Sequence, residues 1–568
     1  MQRYSLHLLK AVVISMIITA FSCRQKEPPQ AAVNTWYKNA LIYNLDVKTF
    51  KDSDGDGRGD FKGLISKLDY LKELGVDMIW LAPFQPSPGE DDGYDVTDYI
   101  NIDPRLGNFT DFQNFLNEAK KRHIKVIMDM ILNHTSIQHP WYIEASHHPS
   151  SPKHNWYVWS TNRPSDWNEG MGFPGVEKET WRYDSSAHAY YFHRFYHFEP
   201  DLNFQNPQVI AEAEKTMGFW LDKGIDGFRL DAVPFIIGDP RKSTKKPEHD
   251  YSILHKLAGY VKVHYPSAIL LGEANITADE DKKYFEGKDY GLQMMFNFYA
   301  NQHLFSSLAS GDERSLQKAL DETRPKPAKA QWVYFLRNHD EVDLGRLSKN
   351  AREQINKQFG PDSSMQLYQR GIRRRLAPML GDNMERLRMA YSLLFSLPGT
   401  PMLRYGEEIG MGDNLALPER IAVRTPMQWD TSANAGFSTA LSPVRDMVRR
   451  GQYKYRIVNV QKEESTPGSL LNFIKKLITL HKQCPEIGYA NWNIIKAGSD
   501  HVFAIRYEVN GKQLIIMHNF SSQPQNVKID LGDKKRYLLT DLMTNQSFSS
   551  ENISLSGYGY KWCRSTND

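Results

Sequence analysis

Cysteine is nearly absent: three occur in 568 residues, and one of them, Cys23, follows an apolar run at the extreme N-terminus. With only Cys484 and Cys563 beyond it, a disulfide framework is excluded, and one bridge or two buried thiols suit the spacing equally. No charge of one sign is in excess either. The 70 Lys and Arg and the 67 Asp and Glu are interspersed and leave a formal charge of +3, so there is no electrostatic basis for nucleic acid as a partner. An uncharged ligand fits better. What is present is ordinary globular composition, 40% hydrophobic and 24% charged, which argues against a disordered chain. The length predicts a large core with at least one accessory domain. Aromatic residues are plentiful, with 12 Trp and 29 Tyr; their flat rings suit sugar faces as well as core packing.

Residues 1–23 read as an export segment. Arg3, His7 and Lys10 precede the apolar run Ala11–Phe21, which is short for a permanent span. Ala20-Phe21-Ser22-Cys23 resembles a bacterial lipobox, in which the cysteine carries the lipid, and polar residues 24–35 with Pro28 and Pro29 read as a tether. The expectation is an exported lipoprotein, periplasmic or at the cell surface, that meets the membrane through its lipid anchor only.

From Trp36 short β-branched or apolar runs alternate with longer amphipathic segments, the rhythm of βα units around a parallel sheet. Eight strands are expected: Ala40–Leu45, Met78–Ala82, Lys125–Ile131, Gly227–Val233, Ile269–Glu273, Met294–Phe298, Trp332–Arg337 and Pro401–Tyr405. Phe61–Leu74 and Phe109–His123 carry helical spacing. The fold class is therefore α/β, a (β/α)8 TIM barrel over residues 36–134 and 207–485. Residues 135–206 form an insert subdomain after the third strand, too irregular for a helix pair. A second long connection runs from Asn338 to about Leu397, and its basic run, Gly371–Pro378, reads as a solvated helix face. Residues 490–568 form a C-terminal antiparallel β domain, signalled by two strand-like runs joined at Asn510-Gly511.

Barrels of this kind place reacting groups at the C-terminal ends of strands. The third strand leads to Asp129, Asn133 and His134, the fourth carries Arg229 and Asp231, the fifth ends at Glu273, and the seventh leads to His339 and Asp340. Three carboxylates on the fourth, fifth and seventh strands converge, and close like charges call for a functional reason. Cleavage of a glycoside with retention needs a nucleophilic carboxylate and a protonated carboxyl. Arg229 shares a strand face with Asp231 and keeps it ionised, so Asp231 suits the nucleophile. Glu273 has no neighbouring cation in sequence and suits the acid/base; Asp340 would bind the reacting ring, with His134 and His339 donating to it.

In order and spacing these four strand-end motifs resemble glycoside hydrolase family 13, the α-amylase superfamily, from about Trp36 to the C-terminus. The resemblance implies that Asp231 is nucleophile, Glu273 acid/base and Asp340 transition-state stabiliser. It further implies that in Asp92-Gly93-Tyr94-Asp95 the Tyr stacks on the sugar and Asp95 holds far hydroxyls, with Arg424 as partner of that Asp. Asp52-Ser-Asp54-Gly-Asp56-Gly-Arg58-Gly-Asp60 alternates carboxylates as a calcium loop does, yet is not an EF-hand, because position 12 is Gly63. Family members acting on oligosaccharides carry such a loop, with Arg58 giving only its carbonyl, so a structural calcium ion and no organic cofactor are expected. A second family calcium site would use Asn133 and Asp201, but Gly238 stands where relatives supply a Glu. Glu199-Pro-Asp-Leu-Asn203 resembles the Gln-Pro-Asp-Leu-Asn signature of members acting on short α-glucosides. Tyr190–Phe195, Asp231–Phe235, Gly371–Pro378 and Leu403–Asn414 resemble the branch that converts maltose to trehalose. The implied partner is maltose or a short maltooligosaccharide. Two alternatives stand beside it: an exported α-glucosidase or α-amylase-type hydrolase, and a non-catalytic sugar-binding lipoprotein.

Overall fold

A computed structural model describes residues 35–285, 290–381, 383–509, 511–531 and 537–566. The export segment, Cys23 and the tether up to residue 34 lie outside them. Eight parallel strands close into a barrel: β1 Ile42–Leu45, β2 Met78–Leu81, β3 Lys125–Met130, β4 Gly227–Leu230, β5 Ile269–Gly272, β6 Met294–Phe296, β7 Gln331–Phe335 and β8 Thr400–Arg404. Each expected strand is present, mostly shorter than its apolar run, because pairing ends where the chain turns outward to form the mouth.

Strand periodicity puts one residue in two inside. Ile42, Trp80, Ile127, Leu271, Phe296, Val333 and Met402 belong to the cluster that fills the barrel, while the other face of each strand packs against the surrounding helices. Two residues past Ile127 the same inward row reaches Asp129, which is in register with Arg229, itself in register with Leu271. The interior thus changes from apolar to ionic within one pleat of its C-terminal end.

The helix Phe109–Lys121 is fixed by a capping box between Asn108 and Asp111. The expected helix Phe61–Leu74 is instead two, Phe61–Ile65 and Leu68–Leu74. Ser66 Oγ bonds back to Gly63 O at 2.6 Å and competes with the helical ladder there. The run Gly371–Pro378 is not a solvated helix face. Arg373 donates to the carbonyls of Leu417 and Glu419, Arg374 pairs with Asp413 at 3.0 Å, and buried Arg375 reaches Glu407 at 3.2 Å. Like charges that sequence reading assigns to water are here matched one by one to acceptors on the loop after β8.

The first insert contains the helix Pro140–His147 and a three-stranded antiparallel sheet built on Trp181–Asp184 and Ala189–Phe192. The C-terminal region is a six-stranded antiparallel sheet; its hairpin pairs Val509 with Lys512 across residues 510 and 511, and Gly511 has φ 75°. It packs on the helix Met384–Ser396, where Trp562 Nε1 donates to Ser392 Oγ and Tyr507 Oη to Ser396 O.

Cys484 and Cys563 are both free and buried. Burial pushes the Cys484 thiol up to about 12 and raises that of Cys563, so neither is a ready thiolate. A thiol reagent should therefore label neither residue in the native protein lacking residues 1–34, and both after unfolding without reductant; native labelling would contradict the burial.

Candidate active site

One guanidinium organises the mouth of the barrel. Arg229, buried over the Trp80 ring, places Nη1 2.7 Å from Asp129 Oδ1 and 2.5 Å from Asp231 Oδ1, and Nη2 2.8 Å from Glu273 Oε2. Glu273, without a basic neighbour in sequence, thus has one in space. Directly after Asp231 the chain enters the left-handed region at Ala232, φ 49°, and the Ala232 N–H donates to Glu273 Oε2 at 3.1 Å. A left-handed alanine costs about 1 kcal/mol, a strain that the turn from β4 imposes and the hydrogen bond to Glu273 offsets.

Burial raises Glu273 to about 7 against the opposing charge of Arg229, with Asp231 and Asp340 adding to the rise. Burial also raises Asp231, to about 6, and Arg229 counters it. The lower of the two belongs to the residue that shares its strand face with the cation. For Asp340 burial acts upward, but His339, Arg420 and Arg424 reverse it and hold the carboxyl well below its ordinary value. Arg420 Nη1 and Arg424 Nη2 both lie 2.9 Å from Asp340 Oδ1, and His339 Nε2 lies 3.0 Å from Oδ2. Burial lowers His339 to about 3, so it meets Asp340 as a neutral hydrogen-bond donor. Tyr94 stacks on the His339 ring at 5.5 Å and donates to Asp129 Oδ2 at 3.0 Å.

Tyr94, Arg229, His339 and Arg424 thus surround the three carboxylates, and Asp95 does not. Its oxygens accept from Ser87 Oγ at 2.7 Å and from the N–H groups of Gly89 and Glu90, so it shapes its own loop. Arg424 pairs instead with Asp92 at 2.9 Å, an acid that Lys48 and Arg445 also hold. Asp91 pairs with Arg420. Sequence reading missed Asp91, Arg420 and the pairing role of Asp92; the acidic run Glu90-Asp91-Asp92 was the available signal, whereas Arg420 sits in the single 3-10 turn Glu419–Val423, too short to show a period.

His134 is buried with Nε2 unpartnered, 3.7 Å from the unpartnered Glu199 Oε1. Burial, reinforced by Asp91 and Asp95, raises Glu199 well above its ordinary value. The two inserts meet above this group: Phe173, Tyr196 and Phe198 pack with Tyr368, and the Tyr196 and Tyr368 hydroxyls converge on Glu419 Oε2 at 2.5 and 2.7 Å. Arg420 lies over the Phe173 ring.

In the acidic loop the carboxylates of Asp52, Asp54 and Asp60 come within 4.8 Å of one another. Asp56 is outside that group, its Oδ1 taken by the N–H of Arg58. At the second expected cation site Asp201 Oδ1 accepts from the Arg194 N–H at 2.9 Å, and the fully buried Arg194 supplies positive charge to Asp201. The Arg194 guanidinium itself points elsewhere, to the carbonyl of Gly170, and Asp239, next to Gly238, pairs with Arg241 at 2.9 Å.

Because Glu199 is held neutral in the fold, its unfolded form binds fewer protons above the ordinary glutamate value and stability falls as pH rises. Glu199→Gln should therefore raise Tm relative to wild type at pH 8, with the gap closing toward pH 4.5, the ordinary value. An equal Tm at both pH values would show that Glu199 is ionised in the fold.

The alpha-amylase catalytic-domain family matches residues 44–372 and 372–490. A trehalose synthase of Thermus thermophilus is 39% identical over 521 residues, 90% of this chain and 53% of that one, so the chain spans about half of that relative. The trehalose synthase of Pimelobacter sp. (strain R48) is 36% identical over 554 residues, 94% of this chain and 96% of that one. Among solved structures, alpha-amylase from H.orenii superposes with a TM-score of 0.74 at 28% identity, covering 93% of this chain and 100% of that chain. With the barrel and its strand-end carboxylates, these matches place the chain in the alpha-amylase family, glycoside hydrolase family 13, as an enzyme acting on α-glucosides.

Proposed function

We propose that the enzyme isomerises maltose to trehalose through a covalent glucosyl-Asp231 intermediate. Asp231 attacks the anomeric carbon of the non-reducing glucose while Glu273 gives its proton to the departing oxygen of the second glucose. Glu273, now a carboxylate, then takes the proton from the anomeric hydroxyl of that released glucose. The hydroxyl oxygen attacks the same carbon and the ester to Asp231 breaks. Asp340, ionised between Arg420 and Arg424, faces the positive charge that develops on the ring. Asp231 and Glu273 reach neighbouring nitrogens of one guanidinium, a closeness that suits retention rather than a water between them.

The observation that carries isomerisation over hydrolysis is the closure of the mouth. The contact of the two inserts through Phe173, Tyr196, Tyr368 and Glu419 favours keeping glucose in and water out while the ester exists. The trehalose synthases among the relatives agree with that reading.

Maltose incubated with the protein lacking residues 1–34 should give trehalose without net glucose; glucose alone would establish hydrolysis. No product from any α-glucoside would support a binding protein. Asp231→Ala should lower turnover by about 10⁴-fold. Activity needs Asp231 ionised and Glu273 protonated, so the rate should rise with pH as Asp231 ionises near 6 and fall as Glu273 deprotonates near 7. A rate still rising above pH 8 would contradict this assignment of roles.

We also propose a structural calcium ion at Asp52, Asp54 and Asp60. Their oxygens are hard ligands; Asp54 and Asp60 retain accepting capacity, and at Asp52, whose two oxygens already take four donors, an ion would displace one of them. Ser438 Oγ donates to Asp52 Oδ2 at 2.5 Å, so an ion there would tie this loop to the segment after β8. Chelator should lower Tm by about a few degrees and added calcium restore it; no change with either would remove the ion from the account.

A further inference from the structure

A cavity of about 650 Å³ lies behind the wall formed by the Asp91–Arg420 and Asp92–Arg424 pairs. Asp231, Glu273 and Asp340 do not line it. Its walls come from Lys48 and Arg58 after β1, from the loop after β2, from residues 103–106, from Tyr196 of the first insert and from two segments after β8, 417–424 and 443–446. Arg420 and Arg424 belong to both sides, since each lines the cavity and each lies 2.9 Å from Asp340 Oδ1.

The lining specifies the chemistry of an occupant. Six basic residues stand against six acidic ones, so the cavity does not select a net charge. Two donors are left over. Gln85 is 2% exposed and its Nε2 has no partner, while its Oε1 already accepts the Phe84 N–H at 3.2 Å. The half-buried Arg58 guanidinium makes no hydrogen bond among the described residues, whereas neighbouring Arg105 is engaged with Asp103 and Ser87 O. A buried amide N–H without an acceptor costs about 1–3 kcal/mol; Nε2 lies just beneath the cavity surface, so a turn of the Gln85 side chain would bring it to an oxygen-rich ligand. Pro83, Pro88, Leu417, Ile421 and Val444 add apolar surface between these polar groups. Uncharged, rich in acceptors and partly apolar on its faces is the description of a pyranose, and the volume lies within the range of small-molecule sites.

We propose that this cavity is a second α-glucoside site, and that its occupant acts on the catalytic pocket through Arg420 and Arg424. A sugar hydroxyl that accepts from either guanidinium competes with Asp340 Oδ1 for the same donor. Occupancy therefore alters the charge and position of Asp340 without contact with it. Only the choice of an α-glucoside as ligand rests on the function proposed above; the cavity and its link to Asp340 do not.

Calorimetric titration of the Asp231→Ala protein with maltotriose tests the proposal, because sugar binds there without being consumed. Two sites per chain are expected. Leu417→Trp, which fills the cavity, should leave one, and Gln85→Leu should weaken the second about tenfold. In the otherwise wild-type enzyme Leu417→Trp should keep turnover at low maltose and abolish any departure from a hyperbola at high maltose. A single site in the Asp231→Ala protein, or two sites that both variants leave unchanged, overturns the proposal. If Leu417→Trp does not fold, Gln85→Leu decides alone. Two sites in a protein that turns over no α-glucoside would reject the proposed function and keep the cavity site.

Discussion

The site depends on one buried cation. Arg229 stands at the level where the barrel interior changes from apolar to polar, and it holds Asp129, Asp231 and Glu273 on two nitrogens. Three carboxylates this close would otherwise repel and drive one another toward the neutral form. A fourth-strand guanidinium lets them share a dry space while their proton affinities differ, because Asp231 shares its strand face and Glu273 approaches from the next strand. Removing this cation would leave buried charges uncompensated, which is far costlier than the loss of one contact.

Around that centre a second ionic layer sets the size of the pocket. Asp340 is held by two guanidiniums, and these in turn are held by Asp91 and Asp92 on the loop after β2. The layer joins distant parts of the chain, since Arg420 and Arg424 follow the eighth strand and the acids follow the second. Aromatic residues of both inserts close over it, with Glu419 accepting from a tyrosine of each. The reacting centre and the cavity beyond the wall are therefore parts of one charge network rather than independent sites.

Much of this was legible in the sequence. The eight strands, the C-terminal hairpin at Asn510-Gly511 and the strand-end carboxylates follow from local pattern, since strand periodicity and turn chemistry act over a few residues. The basic run at Gly371–Pro378 failed for the opposite reason: a cluster of arginines looks solvated until the acceptors that surround it are known. Asp95 failed similarly, because adjacent acids in one loop differ only in which way the turn aims them, and the left-handed Asp92 and Gly93 decide that.

The sequence by itself therefore determined the barrel, the family to which it belongs and the placement of three carboxylates at strand ends, because these are carried by periodicity and by motifs within single strands. Only the tertiary structure decided that Glu273 shares the cation of Asp231, that Arg420 and Arg424 grip Asp340, and that Asp91 and Asp92 rather than Asp95 complete the wall. Those pairings join residues up to 332 positions apart. Charges choose partners by distance in the folded chain, and no local pattern records that distance.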